Sequence, residues 1–196
     1  MEPPAETVHW LFSLGFILLG LFLVCEVAVG PEVWRMRPWR AYLWPGFLFL
    51  MGCFMWAVSL SYTNSTVHMI AHGIWAQMMM VAGACTLGLA AGKLRSPLWN
   101  LSVSAALLVS GGATLIHESQ GWFFNRSSFL HHVEGWTGVG ASLIPLGLAF
   151  LPKRKEFPIA LAVVFFTIAV LLLCDRDVAD IFGRISPDAV FEGSGR

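Results

Sequence analysis

The sequence predicts an all-α protein, a polytopic membrane bundle of six transmembrane helices in one compact domain. Three observations carry that expectation. Of the 196 residues, 57% are hydrophobic and only 12% are charged, where a soluble domain carries about 25% charged residues. Six apolar runs each approach the length needed to cross about 30 Å of hydrocarbon at about 1.5 Å per helical residue. Short polar breaks separate them: "GPEVWRMRPWR", "SYTNST", "GKLRSP", "ESQGWFFNRSS" and "PKRKE". No water reaches the interior of a bilayer to pair a stray amide, so each run must satisfy its backbone internally as a helix.

In chain order the spans are expected near 10–29, 41–61, 67–91, 98–116, 130–150 and 157–174. The first follows "MEPPAE", acidic where a signal peptide would be basic, and reads as a retained span. The second carries Pro45 in its opening turns, where a missing N–H is tolerated. The third ends in "GLAAG" and the fourth contains "SGGATL", two small-residue surfaces suited to close helix approach. The fifth contains Pro145, where a kink is expected. The sixth is the shortest, completing a membrane domain over residues 1–174 before a polar tail over residues 175–196. Short loops make consecutive helices antiparallel neighbours. Cys25, Cys53, Cys85 and Cys174 lack CxxC spacing and read as small apolar fillers. Met69, Met78, Met79 and Met80 offer soft thioethers for copper(I), but three consecutive residues face three directions, which favours gap filling. Trp10, Trp34, Trp39, Trp44, Trp99, Trp122 and Trp136 stand near span ends, as an interfacial aromatic belt requires.

Charge supplies a direction. Lys plus Arg equals Asp plus Glu, 12 against 12, so no bulk charge points to nucleic acid and the bilayer is the expected partner. The three connections on the face opposite the N-terminus hold eight basic residues: Arg35, Arg37, Arg40, Lys93, Arg95, Lys153, Arg154 and Lys155. The connections on the N-terminal face hold Arg126 alone. By the positive-inside rule the basic face is cytoplasmic, and both termini are extracellular or lumenal. The sequons at Asn64 and Asn125 fall in loops on that outer face, as in a glycoprotein.

The histidines obey the same geometry. His9 begins span one, His68 and His72 begin span three, His117 ends span four, and His131 and His132 begin span five. Alternating helices therefore bring all six imidazoles to the outer end, beside Glu118 and Glu134. Ionisable groups at such depth commonly face the bundle interior and serve a site. His68 and His72 share a helix face at i and i+4, as His131 and Glu134 do at i and i+3. His132 points about 100° away from His131, so one of the pair aims at a shared centre and the other supports it. These donors suit a transition metal, with zinc or copper favoured and iron or haem also admissible. The candidate metal ligands are His9, His68, His72, His117, His131 and His132. Axial haem ligation would fall to His72 with His131 or His132. Glu118 and Glu134 are the candidate catalytic bases.

The stretches "HWLFSLGFILLG", "VHMIAHGIWAQMMMVAGACTLGL" and "IHESQGWFFNRSSFLHHVEGW" together resemble the transmembrane protein 45 family. That resemblance implies a polytopic helical fold with histidines at His9, His68 or His72, His117, and His131 or His132, and it implies no particular reaction. Three classes of function are consistent with the residues. A metal-dependent membrane enzyme would use histidines, water and a glutamate base. Copper or zinc handling would need polar groups onward through the membrane, and past His72 the third span offers only Gln77 and Thr86. An accessory subunit of a larger membrane complex would use the histidines to hold a structural cofactor beside its membrane-protein partner.

Overall fold

The structure, a computed structural model, describes residues 5–61, 66–117, 126–151 and 154–175. Their regular structure is helical: α1 Ala5–Val29, α2 Pro31–Arg35, α3 Leu43–Ser59, α4 Thr66–Ala90, α5 Leu101–His117, α6 Arg126–Ala141, α7 Ile144–Phe150 and α8 Glu156–Cys174. Single 3₁₀ turns at Pro38–Tyr42 and Pro97–Asn100 lead into α3 and α5. Six helical segments are long and apolar enough to cross a membrane, α6 and α7 together forming the fifth. The six-span bundle expected from the apolar runs is the observed architecture.

Glycine and proline set the breaks. Gly30, at φ 92°, ends α1 in a conformation that disfavours a side chain, and Pro31 opens α2 without needing a donor. Gly92, at φ 66°, closes α4, whose Gly88 carbonyl accepts the amides of Lys93 and Leu94. "GLAAG" thus works as a helix stop. In the fifth span the helix is interrupted at Ser142 and Leu143, and α7 restarts with Pro145 in its first turn. The carbonyl of Ser142 accepts the hydroxyl of Ser104 from α5, which satisfies a group exposed by the interruption.

Each span packs against the next in chain order, and α8 returns to α1, closing a ring. Glycines set its tightest seams. A Cβ on Gly111 of α5 would lie 2.6 Å from the Gly135 carbonyl oxygen of α6, and one on Gly83 of α4 would lie 2.6 Å from the Phe49 amide nitrogen of α3. Ser13 ties α1 to α8 by donating to the Ala169 carbonyl at 2.7 Å. Leu19, Leu48, Met51, Val103, Leu161 and Phe165 fill the shared interior. Leu14, Leu50, Ile116 and Val163 point outward, where hydrocarbon rather than water is the favourable neighbour. Met79 joins the core packing and Met80 presses on Gly52, consistent with gap filling.

At the basic end, Trp34 is buried and donates its indole N–H to the Arg40 carbonyl at 3.1 Å. The Arg40 guanidinium lies 5.4 Å from the Trp34 ring centroid and 5.8 Å from that of Trp39. These cation–π contacts fix the connection between α1 and α3. Trp10, Trp39, Trp99 and Trp136 are exposed.

Candidate metal centre

Antiparallel packing brings the start of α1, the start of α6 and the end of α8 to one end of the ring. From these come His9, His131 and Asp175. Asp175 Oδ2 stands 3.1 Å from His9 Nδ1 and 3.5 Å from His131 Nδ1. The two imidazoles meet edge to face with centroids 5.8 Å apart. One donor atom from each of the three residues lies within 4.8 Å of the others. A tetrahedral ion with bonds of about 2.0–2.1 Å separates its ligand atoms by about 3.3 Å, so the two short approaches have the spacing of co-ligands.

Burial sharpens the point. Asp175 is 2% exposed and His131 7%. Among the described residues, no donor is aligned on either carboxylate oxygen of Asp175 in hydrogen-bond geometry. A buried carboxylate without aligned donors is costly by several kcal/mol unless a cation or proton accompanies it. Its position opposes helix energetics as well, because an acid at the C-terminal end of α8 meets the negative end of the helix dipole, worth about 0.3–1 kcal/mol. Local helix stability therefore does not explain Asp175.

Two further ionisable groups line the cavity that opens below this cluster. Glu134 lies one turn after His131 on the same face of α6, and His72 comes from α4. His72 is buried and sets its ring edge-on to Trp75, with centroids 4.6 Å apart. Trp75 in turn donates to the Ser110 carbonyl of α5 at 3.2 Å, which fixes the wall against which His72 rests.

The expected site residues divide accordingly. His9 and His131 come together, with Glu134 and His72 on the same cavity. His132 turns away, its Nδ1 2.8 Å from the Ser128 carbonyl one turn earlier on its own helix. The side chains of His68 and His117 lie outside what the structure describes, as do Glu118 and both sequon asparagines, Asn64 and Asn125. Asp175 is the residue that sequence reasoning missed, since it opens a polar stretch and reads as the exit to water. The inward choice of His131 over His132 did have a signal. His131, Gly135 and Gly138 repeat at i, i+4 and i+7, and the glycines mark the face that packs on α5. Comparison with protein-family models, curated proteins and solved structures returns no match.

Proposed function

We propose that this membrane protein holds one transition-metal ion, zinc or copper, on His9, His131 and Asp175 at its extracellular or lumenal end, and that it works as a metal-dependent membrane enzyme. The observation that carries this reading is the buried Asp175 carboxylate, approached by two imidazole nitrogens at co-ligand distances. Two nitrogens and one carboxylate oxygen are a donor set for zinc or copper(II) rather than copper(I), which prefers sulfur. Three protein donors leave a coordination position for water or substrate, the usual pattern of a catalytic zinc site. When bound, such an ion supplies Lewis acidity, and Glu134 on the adjoining wall is placed to hold a proton.

Haem fits less well: His9 and His131 converge on one carboxylate oxygen, and His132, expected with His72 as an axial pair, turns to the Ser128 carbonyl of its own helix. Passage of ions across the bilayer is also less supported. Beyond Glu134 the cavity is walled largely by apolar side chains such as Phe12, Phe16, Leu48 and Phe165, which leaves Ser110 and Met79 as sparse donors for a cation in transit. The resemblance to the transmembrane protein 45 family rests on the histidine-bearing motifs and adds no reaction to this reading.

Elemental analysis and an absorption spectrum of gently purified protein test the proposal. The expected result is about one zinc or copper per chain with no Soret band, as three protein donors on one ion require. Wild-type protein free of transition metal would overturn it, and a stoichiometric Soret band would replace the ion with haem.

A further inference from the structure

The cavity below the cluster is lined by all six spans and has a volume of about 120 Å³. That is well under the roughly 300–1,000 Å³ taken up by drug-sized ligands. A buried apolar void of about 150 Å³ accepts benzene, so the space here suits a single six-membered ring with one small substituent. Its lining is divided. His72, Thr114, His131 and Glu134 stand at the end next to the cluster, while Phe12, Phe16, Met55, Met79 and Phe165 form much of the rest. Thr114 donates to the Ser110 carbonyl at 2.9 Å, and Trp75 donates to the same oxygen at 3.2 Å. These donors are engaged with the backbone, so the deeper wall offers little to an ordered water, which needs about three hydrogen bonds.

We infer that this cavity binds one small neutral phenol, its ring against Phe12, Phe16 and Phe165 and its hydroxyl toward His72 and Glu134. Binding of the ring is independent of any ion. That the hydroxyl comes to lie beside a metal centre rests on the metal reading above.

Each part of the ligand answers a part of the wall. The Phe16 and Phe165 rings lie 5.8 Å apart between centroids, and Phe12 adds a third ring from α1. Aromatic walls favour an aromatic guest through edge-to-face and offset contacts. The thioethers of Met55 and Met79 favour it too, as polarizable sulfur attracts ring edges. A charged guest is disfavoured, because its charge would leave water for a largely apolar space. A hydroxyl suits the polar end better than a carbonyl does. It donates as well as accepts, so it pairs with a carboxylate and with either tautomer of an imidazole.

Nuclear magnetic resonance of the full chain in detergent, isotope-labelled at its methionine methyl groups, tests the inference with phenol as the probe. Met55 and Met79 line the cavity, whereas Met36 is 78% exposed at the basic end. Phenol should shift the Met55 and Met79 signals saturably, through the ring current of a bound ring, and leave Met36 unmoved. 4-tert-Butylphenol, too large for the space, should not reproduce those shifts. Toluene matches phenol in size and lacks the hydroxyl, so it should bind more weakly at equal concentration in the micelle. Ala82→Phe and Ala106→Phe fill the cavity from two helices and should each weaken phenol binding by at least about tenfold. Shifts at Met55 and Met79 no larger than at Met36 would overturn the inference, as would equal binding of the bulky phenol or of toluene. A folded filled variant that keeps wild-type affinity would overturn it too. Should both filled variants fail to fold, the comparison of the three compounds on wild-type protein decides. Metal content separates this idea from the previous one: metal-free wild type that still binds phenol sustains the cavity and removes the metal reading, while metal-loaded protein without saturable shifts does the reverse.

Discussion

A carboxylate buried in an apolar bundle, with two imidazoles turned toward it, is the strongest chemical statement in this molecule. Replacing His9 or His131 with alanine leaves Asp175 beside one nitrogen instead of two. Metal affinity should then fall by more than the roughly 10–100-fold typical of supporting residues, as measured by competition with a chromogenic chelator. Asp175→Asn should fall at least as far, because it removes the negative donor while nearly conserving volume. His132→Ala should keep its affinity, since that ring is engaged with the Ser128 carbonyl of its own helix. Equal losses at His131 and His132 would contradict the assignment. Two of the three cluster residues were legible, because antiparallel alternation sends every histidine to one end whatever the loops do. Asp175 was not. The apolar helix before it is hydrophobic on all sides and gives no facing signal, so only the return of α8 to α1 and α6 shows that its end is enclosed.

The helical elements are held apart or together by single residues, and adjacent glycines in "SGGATL" show how local that control is. Gly111 faces the α6 backbone, where its neighbours are the Gly135 carbonyl and the Val139 amide, neither able to swing aside. Gly112, one position on, has nothing within 4 Å of where a Cβ would stand. Gly111→Ala should therefore destabilise the bundle by about 1–3 kcal/mol through overpacking. Gly112→Ala should be neutral or slightly stabilising, since alanine lowers the entropy lost on forming a helix. Thermal unfolding in one detergent, followed by circular dichroism, distinguishes the two; similar midpoints would show that the α5/α6 seam is not closed by backbone contact. The separation of α6 from α7 was partly legible. Pro145 announces an interruption, but the interruption falls at Ser142 and Leu143, because a proline is accommodated in a first turn and displaces the break upstream. The partner at the break, Ser104, had no sequence signal, since it lies 38 residues away.

At the scale of the whole molecule, the ring has two unlike ends. One gathers His9, His72, Glu134, His131 and Asp175; the other carries Arg37, Arg40, Lys93, Arg95, Arg154 and Lys155 beside the short turns between spans. Basic side chains near span ends resist translocation, so this end should be cytoplasmic and the site should face outside or a lumen. Single cysteines provide the test, introduced by Arg95→Cys in the α4–α5 connection and by Thr7→Cys at the other end of α1, in a background lacking the four native cysteines. In intact cells or sealed vesicles of right-side-out orientation, a membrane-impermeant maleimide should label Thr7→Cys before lysis and Arg95→Cys only after it. The reverse pattern would place the histidine end in the cytoplasm. Orientation also fixes the chemistry available to the centre. If the proposed ion is bound, an outward site would draw its metal and water from outside or from a lumen, whereas an inward one would draw on the cytoplasmic metal pool. Labelling therefore decides which compartment would supply the proposed ion.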